Sequence, residues 1–302
     1  MDDGRVKALV KESYDLHFHI GPDILPRKYT VDELVAEESG KISGVALKSH
    51  SFPTIALIEA ARKHDHLTLI GSVTLNYFMG GFNESAIYAS SMMSHDHPII
   101  VWLPTVHAEN HLLKNKSQYE IPPEWVKDPE FKPRQKYDLK AIRVTDWAGK
   151  MIRKMGSCMK VIEDNDCVVA TGHVSWQEAQ KLAEECIDRG IKVILTHPMQ
   201  RDIAMPLDVQ RRLADRGAYV EYCYVMYLDR DHPDDYPLGE QARCMREIGE
   251  DRVVLTSDAG QRRNPGSSEC LTEYVKLLGG EGIGEGQFRK MLVDNPRRIL
   301  GI

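Results

Sequence analysis

His17 and His19 stand one residue apart in Tyr14-Asp-Leu-His-Phe-His-Ile20, a stretch that reads as a short strand. Side chains alternate along a strand, so the two imidazoles share one face, with Leu16, Phe18 and Ile20 expected on the other. Two imidazoles on one face of a strand end can hold a single cation, and neutral imidazole suits Zn, Fe, Ni or Cu. Gly21-Pro22 stops the strand at once, which places the pair at a mouth rather than in mid-sheet. A lone His-x-His also fits two surface histidines that happen to alternate. The rest of the chain has to decide between these readings.

The elements that would position the pair follow a regular rhythm. Apolar strand-like stretches recur at 14–20, 44–50, 67–75, 98–104, 167–172, 192–196, 218–225 and 252–256. Helical segments alternate with them: 29–36, with Thr30 and Glu33 spaced as a capping box; 53–64; 83–93; 146–164; 175–189, opened by Ser175 and Glu178 and closed by Gly190; 206–216; 239–249; and two terminal helices near 269–278 and 287–300. Alternating β and α segments imply a parallel sheet. Eight such units in 302 residues fit a distorted (β/α)8 TIM barrel, an α/β fold that typically needs about 250 residues. A doubly wound sheet with extra strands is the runner-up. It lacks the Gly-x-Gly-x-x-Gly that a dinucleotide-binding version would carry after the first strand.

No internal repeat or low-complexity tract interrupts the chain, and residues 1–302 read as a single domain. The rhythm breaks once, in the Pro-, Lys-, Glu- and Asn-rich stretch after the fourth strand, at about 105–138. Loops of that length are usually functional lids or disordered, so this insertion is expected to cover the site, with Trp125 and Phe131 packing down or tethering it.

In a (β/α)8 barrel the active site lies at the C-terminal ends of the strands. The polar residues there are His17 and His19 (first), Lys48 and His50 (second), Thr105 and His107 (fourth), His173 (fifth), His197 (sixth) and Asp258 (eighth). Singly, a histidine after a strand is usually a hydrogen-bonded loop residue and an aspartate a helix cap. Jointly, five strand ends offer nitrogen or carboxylate ligands around one mouth, which points to a bound metal.

With these residues in view the chain resembles the amidohydrolase superfamily of metal-dependent hydrolases. The matching motifs are Asp-Leu-His17-Phe-His19, Thr-Gly-His173, Thr-His197-Pro and Thr-Ser-Asp258, in that order along the whole barrel. The resemblance implies one or two divalent ions, zinc first, with Mn, Fe or Ni admissible. Carried over by position, His17, His19 and Asp258 would bind one ion, and His173 and His197 a second. In single-metal members the sixth-strand histidine instead helps polarise water or substrate. Two-metal members usually bridge their ions with a carboxylated Lys or a Glu from the fourth strand. That strand, Val101-Trp-Leu-Pro-Thr105, has neither here, and Glu109 lies further on. Lys48 shares parity with Ala46 and His50, so it is left with three roles: a displaced carboxylated bridge, a cation for a substrate carboxylate, or the partner of a structural acid.

The expected activity is hydrolysis of a C–N or C–O bond in a small polar amide, cyclic amide or lactone. Asp258 would be both ligand and general base, while His50, Tyr77, His107 and Arg201 would contact substrate; Arg262 and Arg263, just past Asp258, are more simply solvated loop residues. The alternatives are a metal-dependent decarboxylase of a small carboxylic acid on the same scaffold, and a non-catalytic metal-binding protein.

Composition sets the remaining bounds. A formal net charge of −6 gives no electrostatic reason to expect nucleic acid or an anionic membrane as partner. The partner expected is a small-molecule substrate, and a homo-oligomer is compatible with the sequence. Six scattered cysteines without Cys-x-x-Cys read as reduced thiols. The N-terminus lacks the pattern of a signal peptide, and no apolar run approaches about 18 residues, so a cytoplasmic protein is expected.

Overall fold

The computed structural model describes residues 1–61, 66–114, 120–121, 137–138, 140–228 and 236–302. The strands in chain order are β1 Tyr14–His19, β2 Gly44–Lys48, β3 Thr68–Ile70, β4 Ser72–Thr74, β5 Ile100–Trp102, β6 Glu120–Ile121, β7 Tyr137–Asp138, β8 Val168–Ala170, β9 Val193–Leu195, β10 Tyr219–Cys223 and β11 Val253–Thr256. β1-β2-β3 form one parallel sheet and β4-β5-β8-β9-β10-β11, in that spatial order, another. The third expected strand is broken at Gly71 into β3 and β4, which carries the chain from one sheet to the other. A Cβ on Gly71 would stand 2.9 Å from that of Ile55, so the glycine also lets the preceding helix, which Ile55 opens, pack closely.

On the far side the two sheets meet through β1 and β11. His19 N donates to Ala259 O at 2.7 Å and Asp258 N to His17 O at 2.9 Å, with a parallel bridge between Phe18 and Ala259. The result is the expected eight-stranded (β/α)8 barrel, distorted where β1 passes β11.

Alternation sorts the strand residues. Ala46, Ile100, Trp102, Val168, Ala170, Ile194, Tyr219 and Val254 fill the interior, with Ile299 and Leu300 of the last helix packed into the same cluster. Their neighbours Val45, Leu47, Val101, Val169, Val193, Leu195, Val220 and Leu255 face the helices. Burying each large aliphatic side chain stabilises the fold by roughly 1.5–3 kcal/mol.

Strict alternation fails in β1. Its register against β2 slips between Asp15 and Phe18, so one extra residue is accommodated as a bulge. Leu16 joins the interior cluster, whereas Phe18 and Ile20 pack outward. Leu16 and Phe18 therefore do not share a face as strict period-2 reading requires.

Several helices start where their capping residues placed them. Thr30 and Ser175 each form a complete capping box, opening Val31–Glu38 and Trp176–Asp188, and Asn83 caps Glu84–Met93. Other expectations need correction. The helix expected at 146–164 spans Arg153–Asp164, because Asp146 Oδ1 accepts from the backbone of Ala148 and Lys150 and closes a turn instead. Of the 53–64 segment the described part is helical over Ile55–Ala60, and 62–64 lie outside the described residues. The last helix divides into Glu285–Arg289, a π-helical turn Lys290–Asp294 and Asn295–Leu300.

An N-terminal helix, Asp3–Glu12, stands before β1; Asp2 caps it and Val6, Leu9 and Val10 are its buried residues. Within the insertion, Glu109–Lys114 is helical and β6 pairs antiparallel with β7. The covering role expected of the insertion, with Trp125 and Phe131, lies outside the described residues. Among the described residues no helix is long and apolar enough to cross a membrane.

Candidate metal centre

The centre is built on the last inward position of β1. His17 is fully buried and His19 nearly so. Both imidazoles turn Nε2 toward one oxygen: Asp258 Oδ1 lies 2.9 Å from His17 Nε2 and 3.0 Å from His19 Nε2. These donor atoms lie within 4.8 Å of one another. Two imidazole nitrogens and a carboxylate oxygen converging in this way match the donor set of a divalent transition ion, so the residues fit the group. Burial raises the Asp258 carboxyl, but charge on His17 and hydrogen bonds from His17 and His19 outweigh it and hold it well below the usual carboxylate range.

The backbone is strained where these groups are delivered. Asp258 has φ 51° and His197 φ 26°, a region costly for non-glycine residues that clusters at functional sites. Gly260, two residues past Asp258, has φ 111°, and a Cβ there would meet the His19 carbonyl oxygen at 1.9 Å. Gly172 just before His173 has φ 60°, and its Cβ would meet the Leu103 carbonyl oxygen at 2.5 Å. Each glycine lets a strand end approach its neighbour closely, beside His19 after Asp258 in one case and just before His173 in the other.

Two carboxylates that the sequence reading did not single out hold the first strand in place. Glu221 on β10 sits 3.0 Å from His17 Nδ1 through Oε1, which also accepts from Thr256 Oγ1 at 3.0 Å, while Oε2 accepts from His197 N at 3.1 Å. A carboxylate can only accept from the ring, so Glu221 holds a proton on His17 Nδ1, and an ion in the site would take the place of any proton on Nε2. Burial disfavours a charged His17, but Asp258 and Glu221 outweigh it and raise its pKa. Glu221 had a signal: it is the one charge in Tyr219–Cys223, a strand otherwise apolar enough to be buried on both faces.

Asp15, at the base of the same motif, accepts from Ser257 N and Oγ, Ser267 Oγ and His17 N. It fastens β1 to the end of β11. Burial pushes its carboxyl up to about 6, against those hydrogen bonds.

Trp102 forms the floor, its ring 4.4 Å from that of His17. Lys48 is fully buried and lies over the same indole, Nζ 4.1 Å from the ring centre and 2.8 Å from His17 Nε2. Among the described residues it makes no ion pair, so the structural-acid role finds no partner. Burial brings its pKa down to about 8.

His173 and His197 lie together on the next side of the mouth, ring centres 5.2 Å apart, with His197 6.0 Å from His17. Nδ1 of each is buried without a hydrogen-bond partner. Burial lowers both, His197 to about 4 and His173 well below its usual value.

The expected substrate residues separate. His50 lies against His19, ring centres 4.8 Å apart, with Nδ1 2.8 Å from Thr105 Oγ1. His107 is buried, edge-on to Phe78 at 4.6 Å and to Tyr77 at 5.5 Å, and both its ring nitrogens lack partners. Arg201 is exposed, with its backbone N–H on Tyr236 Oη at 2.9 Å. Two further donor groups exist among the described residues, His17–Glu221–Cys223 and His19–Asp23–His50. Asp23 is already occupied by Arg27 at 2.7 Å and by Ser49 and Ser51.

The sequence matches DUF6282, a family of unknown function, over residues 12–221. The chain belongs to that family. None of the curated proteins matches it. Solved structures similar to this one in fold include an amidohydrolase from Pseudomonas aeruginosa, with TM-score 0.58, 12% identity and 97% of each chain covered. A second is described as a 2-pyrone-4,6-dicarboxylic acid hydrolase from Pseudomonas putida, with TM-score 0.57 and 10% identity, covering 96% of this chain and 97% of that one. A third, given the same activity, comes from Acinetobacter baumannii with citric acid bound, with TM-score 0.57 and 10% identity, covering 96% of this chain and 100% of that one. The DUF6282 chain thus has the fold of amidohydrolase-superfamily barrels, as its motif order implied.

Proposed function

We propose that this DUF6282 protein is a metal-dependent hydrolase that cleaves a C–N or C–O bond in a small polar amide, cyclic amide or lactone. The observation that carries the reading is the convergence of His17 Nε2 and His19 Nε2 on one oxygen of Asp258 at a barrel mouth. A divalent ion held there would acidify water from a pKa of about 15.7 towards about 7 and polarise a carbonyl.

The chain supplies the rest. Glu221 fixes the proton of His17 on Nδ1 and so keeps Nε2 available as a ligand. Asp258 divides its oxygens: Oδ1 faces the two imidazoles, whereas Oδ2 has no hydrogen-bond partner among the described residues. Oδ2 is the oxygen that takes the proton of the attacking water and returns it to the leaving group. His173 and His197 offer buried, unpartnered nitrogens to a second ion or to substrate. Lys48, whose amine adjoins His17 Nε2, would serve either as a carbamate formed by uptake of CO2 with loss of a proton, which would turn a repelling ammonium into an oxygen ligand, or as the cation that meets a substrate carboxylate. The names of two structures similar in fold add chemistry to this reading, since a 2-pyrone is a lactone and those activities are hydrolyses.

The test begins with elemental analysis of protein purified without added metal, which reports the identity and number of ions together. The zinc-loaded protein is then offered lactones, cyclic amides and simple aromatic carboxylic acids, with acid release and CO2 release followed separately. Ring opening, with a proton released from a lactone or a free amine from a cyclic amide, supports the proposal. CO2 release without hydrolysis replaces it with a decarboxylase, and bound metal with neither reaction leaves a non-catalytic metal-binding protein.

A further inference from the structure

One hydrogen-bond chain at the mouth has no part in the mechanism above. It begins at Asn76, which is fully buried just beyond β4. Asn76 Oδ1 accepts from the backbone N–H of Thr105 at 2.9 Å and of His107 at 3.3 Å. Backbone amides only donate, so Oδ1 is fixed as the acceptor and Nδ2 as the donor. Nδ2 then donates to the His50 carbonyl at 3.0 Å and to Thr105 Oγ1 at 2.8 Å. Thr105 Oγ1 also lies 2.8 Å from His50 Nδ1.

The single proton of the Thr105 hydroxyl cannot go to Asn76 Nδ2, which has no lone pair to offer. His50 Nδ1 is its other partner among the described residues, and Thr105 is fully buried. A buried hydroxyl proton finds an acceptor, so His50 Nδ1 accepts and the ring hydrogen sits on Nε2. Nε2, on the side of the ring away from Thr105, has no hydrogen-bond partner among the described residues. The ring lies beside His19, whose own Nε2 contacts Asp258.

We infer that Asn76 and Thr105 lock His50 as a neutral Nε2–H donor, which points at the carbonyl oxygen of the substrate rather than at a metal. An Nε2–H nitrogen has no lone pair in the ring plane for a cation, so His50 is not a ligand despite its place beside His19 and Asp23. A donor set there before the substrate arrives stabilises negative charge developing on the carbonyl oxygen. The tautomer stands on hydrogen bonding alone; its role toward substrate rests on the hydrolase reading.

The test uses zinc-loaded full-length protein with 15N-labelled histidine. Ring nitrogen shifts give each tautomer, and His50 is assigned by the signals lost in His50→Gln. The expected result is a bare Nδ1 and a protonated Nε2, kept in Thr105→Ser and lost as the dominant form in Thr105→Val. An Nδ1–H tautomer in the unaltered protein, or an unchanged tautomer in folded Thr105→Val, overturns the relay. Zinc content of His50→Gln should equal that of the unaltered protein, and loss of a zinc equivalent makes His50 a ligand and overturns the inference. On a lactone or cyclic amide that the protein turns over, His50→Leu should lower kcat about 10²–10³-fold. His50→Gln, which keeps an N–H near the same place, should lower it about tenfold, and equal losses in the two variants overturn the donor role. If the unaltered protein turns over none of these compounds, the hydrolase reading fails, while the tautomer and zinc measurements still decide the state of His50.

Discussion

The two halves of the barrel mouth are wired differently. Where β1 meets β10 and β11, most polar atoms are paired: His17 between Glu221 and Asp258, His19 Nε2 on Asp258, and Asp15 on two serines and two backbone amides, with His19 Nδ1 the buried ring nitrogen left without a partner among the described residues. Around β5, β8 and β9, buried imidazole nitrogens stand without partners: Nδ1 of His173, Nδ1 of His197 and both nitrogens of His107. Buried polar groups are normally hydrogen-bonded, and exceptions call for a reason such as a bound species. One half is held by the protein's own pairs, and the other leaves several buried ring nitrogens that no described residue meets. The paired half should therefore fail as a unit when broken, and the open half should tolerate change until a ligand is present.

The largest effect belongs to the paired half. Replacing both His17 and His19 by Ala should remove at least one metal equivalent per chain and take turnover below detection while the barrel stays folded. Elemental analysis beside circular dichroism checks this, and unchanged metal content would place the ion elsewhere.

Asp258→Asn comes next, because it separates ligation from proton transfer. The amide keeps the shape and one coordinating oxygen but lacks the basic second oxygen, so kcat should fall about 10²–10⁴-fold with metal content near that of the unaltered protein. A folded, metal-loaded variant keeping more than about a tenth of kcat would assign proton transfer to another group, with His197 first in line.

Glu221→Gln probes the carboxylate behind the ligand. A glutamine no longer demands the proton on His17 Nδ1, and loss of such an orienting partner typically weakens metal affinity about 10–100-fold. A zinc titration against a competing chelator reads this directly. An unchanged affinity would mean that Thr256 and the backbone of His197 hold Glu221 for structure alone.

The same contrast governs how much was legible in the sequence. Strand ends carrying His17, His19, His173, His197 and Asp258 could be read because each follows an apolar run, and the barrel brings such ends to one face. Capping boxes at Thr30 and Ser175 were legible because they are local. The roles of Glu221 and Asp15 are not legible, Asp15 being read only as the first residue of its motif, because their meaning is long-range: Glu221 matters through a histidine on β1, and Asp15 through serines at 257 and 267. The bulge in β1 escaped for a similar reason. Period-2 alternation describes a strand by itself, whereas the register slip arises from pairing with β2 while β1 also meets β11. The helix Asp3–Glu12 precedes the first strand and carries its own local signal, Val6, Leu9 and Val10 at helical spacing with Asp2 as cap.

His107 offers the smallest effect and the sharpest view of the open half. Its imidazole is buried against Phe78 and Tyr77, and burial lowers its pKa from 6.5 to about 4. The folded protein therefore keeps it neutral where the unfolded chain would already be protonated. Its share of stability is intact above about pH 6.5 and is lost as pH falls from there towards 4. His107→Phe keeps a ring of similar shape and removes two unpartnered buried nitrogens, each costly to leave unmet. Metal-free His107→Phe should be more stable than the unaltered protein by about 1 kcal/mol at pH 7, and its advantage should widen at pH 5. Urea unfolding at the two pH values measures both. Turnover by the metal-loaded variant should fall at the same time, because the nitrogens that burden the empty protein are those left to meet substrate. A variant less stable at pH 7, with turnover unchanged, would show that His107 is packed for structure and that the open half of the mouth ends at His173 and His197.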